Sequence, residues 1–187
     1  MKYEFEKLDL EGAYLIRSKV AYDNRGAFVK TFEEAVFAEA GISFHCSESF
    51  FSISKKNVIR GMHFQIDKPQ AKLVGVISGS VYDVVVDLRK NSDTFGKWYG
   101  AELSAENGHS FYVPRGFAHG FIALRDDTIM EYKCDGAYSS DTDTGIRFDD
   151  LDINIQWPID DMKKCIMSDR DRSLMTLKEF SNRFGGL

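Results

Sequence analysis

The chain has 187 residues, 43% apolar and 13% aromatic, which is enough for one sizeable packed core, and a single domain over 1–187 is expected. A formal charge of −5 and a pI near 5.4 argue against a general nucleic-acid or membrane-surface binder, yet leave room for a local basic pocket holding a phosphorylated small molecule. No apolar run approaches the ~20 residues of a membrane span, and Cys46, Cys134 and Cys165 are odd in number with no CxxC spacing. A cytoplasmic protein with reduced packing cysteines, no disulfide and no zinc is therefore expected.

In chain order, Ala13-Tyr14-Leu15-Ile16 and Ala27-Phe28-Val29 flank the turn-like Tyr22-Asp23-Asn24-Arg25-Gly26 and read as an opening hairpin. Thr31-Phe32-Glu33-Glu34 fits a capping box, so a short helix should run to about Ala40 and end at Gly41. From Ser43 the period falls towards two, predicting strands near 44–54, 58–65, 71–78, 80–88, 98–104, 110–114, 117–124 and 128–134. Turn chemistry separates them, as in Ser78-Gly79-Ser80 and Asn91-Ser92-Asp93. The gaps are too short for parallel crossovers, so the fold class is mainly β: an antiparallel barrel or double-sheet jelly roll of cupin-like type. After Trp157-Pro158, Leu174, Leu177, Phe180 and Phe184 mark a C-terminal helical segment that should pack on the barrel.

Polar groups interrupt the otherwise apolar stretches Ile59–Gln65 and Lys72–Val76, and a chain does not desolvate Arg60, His63 or Lys72 without partners. They are a candidate site, or a strand end that is simply polar. Alternation in Val81–Leu88 puts Asp83, Val85 and Asp87 on one face, either a polar barrel mouth or a solvated outer face. His119, between aromatics, reads as a satisfied core histidine or a functional one; Tyr132, on a face with Thr128, Met130 and Cys134, reads as a barrel aromatic. No strand offers the His-x-His pair that directs two imidazoles at one ion, so no metal site is expected.

Collinear blocks over nearly the whole chain carry a sharper reading. They include Asp23-Asn24-Arg25-Gly26, Ile59-Arg60-Gly61-Met62-His63-Phe64-Gln65 and Val113-Pro114-Arg115-Gly116-Phe117-Ala118-His119-Gly120-Phe121. Further along come Glu131-Tyr132-Lys133, Tyr138-Ser139, Ile155-Gln156-Trp157-Pro158 and Ser168-Asp169-Arg170-Asp171. In these the chain resembles the dTDP-4-dehydrorhamnose 3,5-epimerase family, cofactor-independent epimerases of nucleotide-linked 4-keto-6-deoxy sugars. The resemblance implies a jelly roll, usually a homodimer in which N-terminal residues help complete the partner's site. It implies inversion at C3, C5 or both, next to a C4 ketone that acidifies the neighbouring C–H bonds. By the same resemblance His63 is the base, Asp171 orients it, Lys72 stabilises the enolate and Tyr132 returns a proton. Arg25, Arg60 and His119 would hold diphosphate and sugar, Tyr138 would lie against the substrate, and Gln65, Asp143 and Arg170 would complete the substrate-contacting set, with Asp83 behind them. A non-catalytic sugar-binding jelly roll is the reading from another class; binding alone does not require a base and an acid together.

Three positions depart from the family pattern. Lys30 stands where Glu is usual, and Glu48 and Phe50 stand where a Gln-x-Asn pair is usual, around the nucleobase. A donor for an acceptor and an acceptor for an amide suggest a base with the hydrogen-bond pattern of cytosine, hence a CDP-linked sugar, unless the base pocket has merely drifted.

Overall fold

A computed structural model describes residues 3–159 and 161–187. The chain enters through β1 (Tyr3–Lys7) and β2 (Tyr14–Ser18), followed by a two-stranded ribbon of β3 (Val20–Asp23) and β4 (Gly26–Val29) and by α1 (Glu34–Glu39). Then come β5 (Glu48–Ser54), β6 (Ile59–Gln65), β7 (Ala71–Ser78), β8 (Ser80–Asp87), β9 (Trp98–Ser104) and β10 (His109–Val113). After β11 (Phe117–Ala123), β12 (Thr128–Asp135) and β13 (Asp143–Gly145), the short α2 (Asp169–Arg172) and α3 (Leu177–Phe184) close the chain. The strands form a six-stranded sheet, β1-β2-β10-β7-β12-β5, facing a five-stranded sheet, β13-β6-β11-β8-β9, in the jelly-roll manner, with antiparallel pairing within both.

Inward residues of both sheets, among them Leu15, Val74, Val85, Phe111, Phe121 and Met130, make the main core. Val84, Val86 and Leu88 point the other way and meet Ile153, Phe180 and the flanking Leu177 and Phe184, so the C-terminal segment does cover the outside of the five-stranded sheet. α3 is fixed at both ends: Thr176 and Glu179 form a reciprocal capping box, and Gly185 takes φ 73° at the C-terminus. No helix among the described residues is long and apolar enough to cross a membrane.

Several local readings need correction. The opening hairpin is β3 with β4; Tyr14–Ser18 instead pairs with β1 and β10, where Leu15 and Ile16 are buried. The helix ends as expected at Ala40 and Gly41, but Glu33 is its N-cap and no side chain caps it, so Thr31 forms no capping box. The fifth strand starts at Glu48, later than the 44–54 pattern suggested, because Phe44 turns inward against Phe32 and Tyr112. Of the three free cysteines only Cys134 is buried, and burial pushes its thiol up to about 11; Cys46 is exposed.

Asp83 and Asp87 do not lie on a solvated face, since both are fully buried: Asp83 meets the cavity-lining His119, and Asp87 lies away from the cavity. Asp87 secures the β8–β9 connection. Its carboxylate accepts hydrogen bonds from the Arg89 backbone N–H at 3.0 Å, the Arg89 guanidinium at 2.7 Å, and Ser92 and Thr94 hydroxyls at 2.6 Å. Burial acts to raise its pKa, and these donors together outweigh burial and lower it.

Candidate active site

The polar groups singled out in the sequence converge at one end of the space between the sheets, around a cavity of about 310 Å³. The five-stranded sheet supplies Arg60, His63 and Gln65 from β6 and His119 from β11; the six-stranded sheet supplies Glu48, Phe50 and Ser52 from β5, Lys72 from β7 and Tyr132 from β12. Asp143 of β13 and Arg170 and Asp171 of α2 close the far wall.

A strand of strict period two would point Arg60 and His63 to opposite faces. The pairing of β6 with β11 avoids this: His119 sits opposite His63 and Phe121 opposite Arg60, so three steps on β6 match two on β11. That bulge turns both side chains into the cavity. It needs close backbone approach, and glycine provides it on both strands. A Cβ on Gly61, which has φ +131°, would lie 2.5 Å from Gly120 Cα, and one on Gly120 would lie 2.6 Å from Met62 Sδ.

Two histidine–carboxylate pairs result, side by side. His63 Nε2 lies 2.8 Å from Asp171 Oδ1, and the second Asp171 oxygen accepts from the Gly61 N–H at 3.4 Å. Asp171 is 108 residues downstream, and Ser168 aims it by capping α2 through the Asp171 N–H at 3.1 Å. Burial works to raise the Asp171 carboxyl, but the His63, Gly61 and Ser168 contacts prevail and its pKa is lowered, keeping it ionised. His119 Nε2 meets both Asp83 oxygens at 2.9 and 3.0 Å. The pairs differ in access: the His63 side chain is 26% exposed to the cavity and the His119 side chain 4%. Burial raises the Asp83 carboxyl, with His119 and Lys72 opposing.

Lys72 stands next to Cys134 across the β7–β12 ladder. Burial lowers its ammonium pKa, against the pull of Cys134, Asp143, Asp83 and Glu48. The Tyr132 phenol is pushed well above its ordinary value by burial and by the Asp83 charge, with Ser52 and Arg60 opposing, so it holds its proton. The cavity therefore offers an oriented imidazole, a confined cation and a protonated phenol within one enclosure. Arg60 is held by Ser54 Oγ at 3.1 Å and the Ile53 carbonyl at 3.2 Å.

Known proteins resemble this chain over nearly its whole length. The model of the family described as dTDP-4-dehydrorhamnose 3,5-epimerase matches residues 7–179. The chain belongs to this family. A dTDP-4-dehydrorhamnose 3,5-epimerase of Methanothermobacter thermautotrophicus is 48% identical over 178 residues, covering 95% of this chain and 96% of that one. Among solved structures, the dTDP-6-deoxy-D-glucose-3,5-epimerase of Legionella pneumophila in complex with dTDP-4-keto-L-rhamnose superposes with a TM-score of 0.92 at 34% identity, covering 98% of this chain and 97% of that one. A 3'-monoepimerase from Streptomyces bikiniensis in complex with dTDP-quinovose gives a TM-score of 0.88 at 31% identity, covering 96% and 90%.

Most of the expected residues of this epimerase line the cavity, but some take other parts. Gln65 spends its amide on the wall: its oxygen accepts from the Ser139 N–H at 2.6 Å and its nitrogen donates to the Lys68 carbonyl at 3.2 Å, holding the loop that carries Tyr138. The Tyr138 hydroxyl donates to Asp143 at 3.0 Å, and Arg170 donates to the same carboxylate oxygen at 2.8 Å, tying that loop to α2. Glu48 accepts from the Tyr138 backbone N–H at 3.1 Å. Arg25 and Lys30 do not line this chain's own cavity. Arg25 lies in the exposed β3–β4 ribbon with Asp23 at 2.6 Å, and Lys30 pairs with Glu33 at 2.7 Å. Sequence reasoning missed Ser52, Gln70 and Ser168, which also line the cavity. The period of two on β5 pairs Ser52 with Phe50, and Ser168 precedes an Asp-Arg-Asp helix start; both were legible signals. Among the described residues no group of three His, Cys, Asp or Glu could hold a metal ion.

Proposed function

We propose that this enzyme inverts C3 and C5 of a dTDP-linked 4-keto-6-deoxyhexose, using His63 as base and Tyr132 as proton donor. One observation carries the reading: the His63–Asp171 pair, Lys72 and Tyr132 open onto a single cavity although they come from separate elements. With Nε2 engaged by Asp171, Nδ1 of His63 is the nitrogen that takes the proton from carbon. The electron pair moves into the C3–C4 or C5–C4 linkage as O4 becomes an enolate oxygen, which the Lys72 ammonium stabilises. Tyr132 then gives its proton to the other face of that carbon; His63 and the phenolate return to their starting states by exchange with solvent. Arg60 and the His119–Asp83 pair hold the sugar diphosphate. The nucleobase reading favours dTDP over CDP, because Lys30 is neutralised by Glu33 and Glu48 is engaged by the Tyr138 backbone, while the named relatives handle dTDP sugars.

The same reading makes the protein a cytoplasmic homodimer of single jelly-roll domains. Tyr22 and Phe28 on the ribbon, and Phe51, Ile53 and Ile77 on the outer face of the six-stranded sheet, are exposed large apolar groups. Beside them lies a second cavity of about 360 Å³, lined by β7, Ala27, Val29 and Thr31. Such a face suits a second copy, whose ribbon then delivers Arg25 and Lys30 to this chain's cavity.

The test is proton NMR in deuterium oxide with dTDP-4-keto-6-deoxyglucose. Deuterium should enter at C3 and C5, and His63→Ala should abolish both. Exchange at C3 alone would make the enzyme a monoepimerase, and faster turnover of the CDP-linked sugar would overturn the choice of nucleotide.

A further inference from the structure

Phe50 departs from the family pattern, and its surroundings give that departure a use. It is the cross-strand partner of Tyr132 in the β5–β12 pairing, and the two rings lie nearly parallel, 13° apart with centroids at 4.7 Å. On another side the His119 ring meets the phenol edge-on at 79° and 5.9 Å. Phe50 is itself 46% exposed and does not belong to the main core, and its ring lies on the face of one tyrosine at the cavity wall. A phenol hydroxyl moves through space when the ring swings about its Cα–Cβ bond; a flat ring against its face blocks that swing.

We propose that Phe50 is a positioning residue for the proton donor: stacked on Tyr132, with His119 on another side, it confines the phenol to one orientation and thereby commits the enolate to protonation on the inverting face. This rests on the assignment of Tyr132 as donor and His63 as base. An enolate formed at His63 has two fates. It receives a proton from Tyr132 on the opposite face, which inverts the carbon, or it takes a solvent-derived proton back from the imidazolium, which leaves the configuration unchanged. Loss of the stack lets the phenol leave its position, so the second fate gains without any change in proton abstraction.

Both fates are read in one sample: deuterium wash-in with retention and deuterium wash-in with inversion, measured at saturating dTDP-4-keto-6-deoxyglucose in deuterium oxide. In Phe50→Ala and Phe50→Leu the ratio of retention to inversion should rise about tenfold, the loss falling on kcat rather than KM. Phe50→Trp keeps a flat ring and should restore a ratio near that of the parent. A role confined to packing would lower both outcomes together, and an unchanged ratio in both variants would overturn the proposal. His63→Ala separates the underlying reading: wash-in that survives it removes the assigned base, whatever Phe50 does to the ratio.

Discussion

At the scale of single residues, the proposed chemistry rests on groups whose charge state is set by burial and by the few polar neighbours each one meets. Asp171 engages Nε2 of His63 and leaves Nδ1 to face the cavity as the proposed base, so Asp171→Asn should lower kcat by about 10²-fold or more, measured as inversion at saturating substrate. Because its pKa is lowered in the folded protein, Asp171 stabilises the fold above the ordinary carboxylate range, and that contribution disappears as pH falls through the lowered value. The acid-side slope of stability, followed by urea denaturation from pH 5 downwards, should flatten in Asp171→Asn. Lys72 behaves in the opposite sense. Its lowered ammonium pKa places loss of the charge proposed to stabilise the enolate below the ordinary lysine value of 10.5, so kcat/KM should fall on an alkaline limb lying below that value. Lys72→Arg, whose guanidinium stays charged, should move the limb upward even if it lowers the plateau. An alkaline limb that stays in place in Lys72→Arg would assign the titration to another group.

At the scale of elements, the decisive feature is the junction of β6 and β11, where one extra residue on β6 brings Arg60 and His63 to a common face. Gly120→Ala would drive a methyl group to 2.7 Å from the Arg60 carbonyl and 2.6 Å from Met62 Sδ, with strand backbone on both sides and little room to yield. We expect destabilisation of about 2 kcal/mol by overpacking. A larger loss of activity should accompany it, seen in urea melts and turnover of the same preparation, because the strands that aim Arg60, His63 and His119 must part. The strands themselves were largely legible: from 58 onward each predicted run falls within a residue or two of an observed one, since alternation and turn chemistry are local properties. The opening hairpin was not, because Tyr14–Ser18 and Val20–Asp23 both look like strands, and only the burial of Leu15 in the core between the sheets and of Ile16 beneath Phe37 and Phe44 on the other face decides which of them pairs with Gly26–Val29. The helix cap failed for a similar reason: Phe32 packs on Phe37 and Phe44, and the chain enters the helix at Glu33 instead of Thr31.

At the scale of the whole molecule, one copy presents a well-formed cavity and, away from it, an exposed ribbon bearing Arg25 and apolar rings. If dimerisation joins them, Phe51→Glu combined with Ile77→Glu should shift sedimentation from dimer to monomer and lower activity with it. Arg25→Ala and His63→Ala subunits, each weak alone, should recover activity on mixing, roughly a quarter of the parent's for random pairing into two-fold dimers. Absence of recovery with a confirmed mixed dimer would mean that the ribbon serves its own chain or none.

The sequence by itself determined the strand succession from β6 to β12, the antiparallel class, the C-terminal helix and the polar interruptions Arg60, His63 and Lys72, all of which follow from spacing within a few neighbours. It carried Asp171, Arg25, Tyr138, Asp143 and Arg170 as candidates, and Tyr132 as a proton donor, only through a collinear family pattern, since no local rule links them to His63. Tertiary structure alone decided that Asp83 joins His119 while Asp87 closes a loop, that Phe50 stacks on Tyr132 at the cavity wall, and that a bulge overrides alternation at Arg60. Each of these turns on strand register and on contacts between residues far apart in the chain, and the free energy that fixes them comes from packing two sheets together, a quantity that no short stretch of sequence contains.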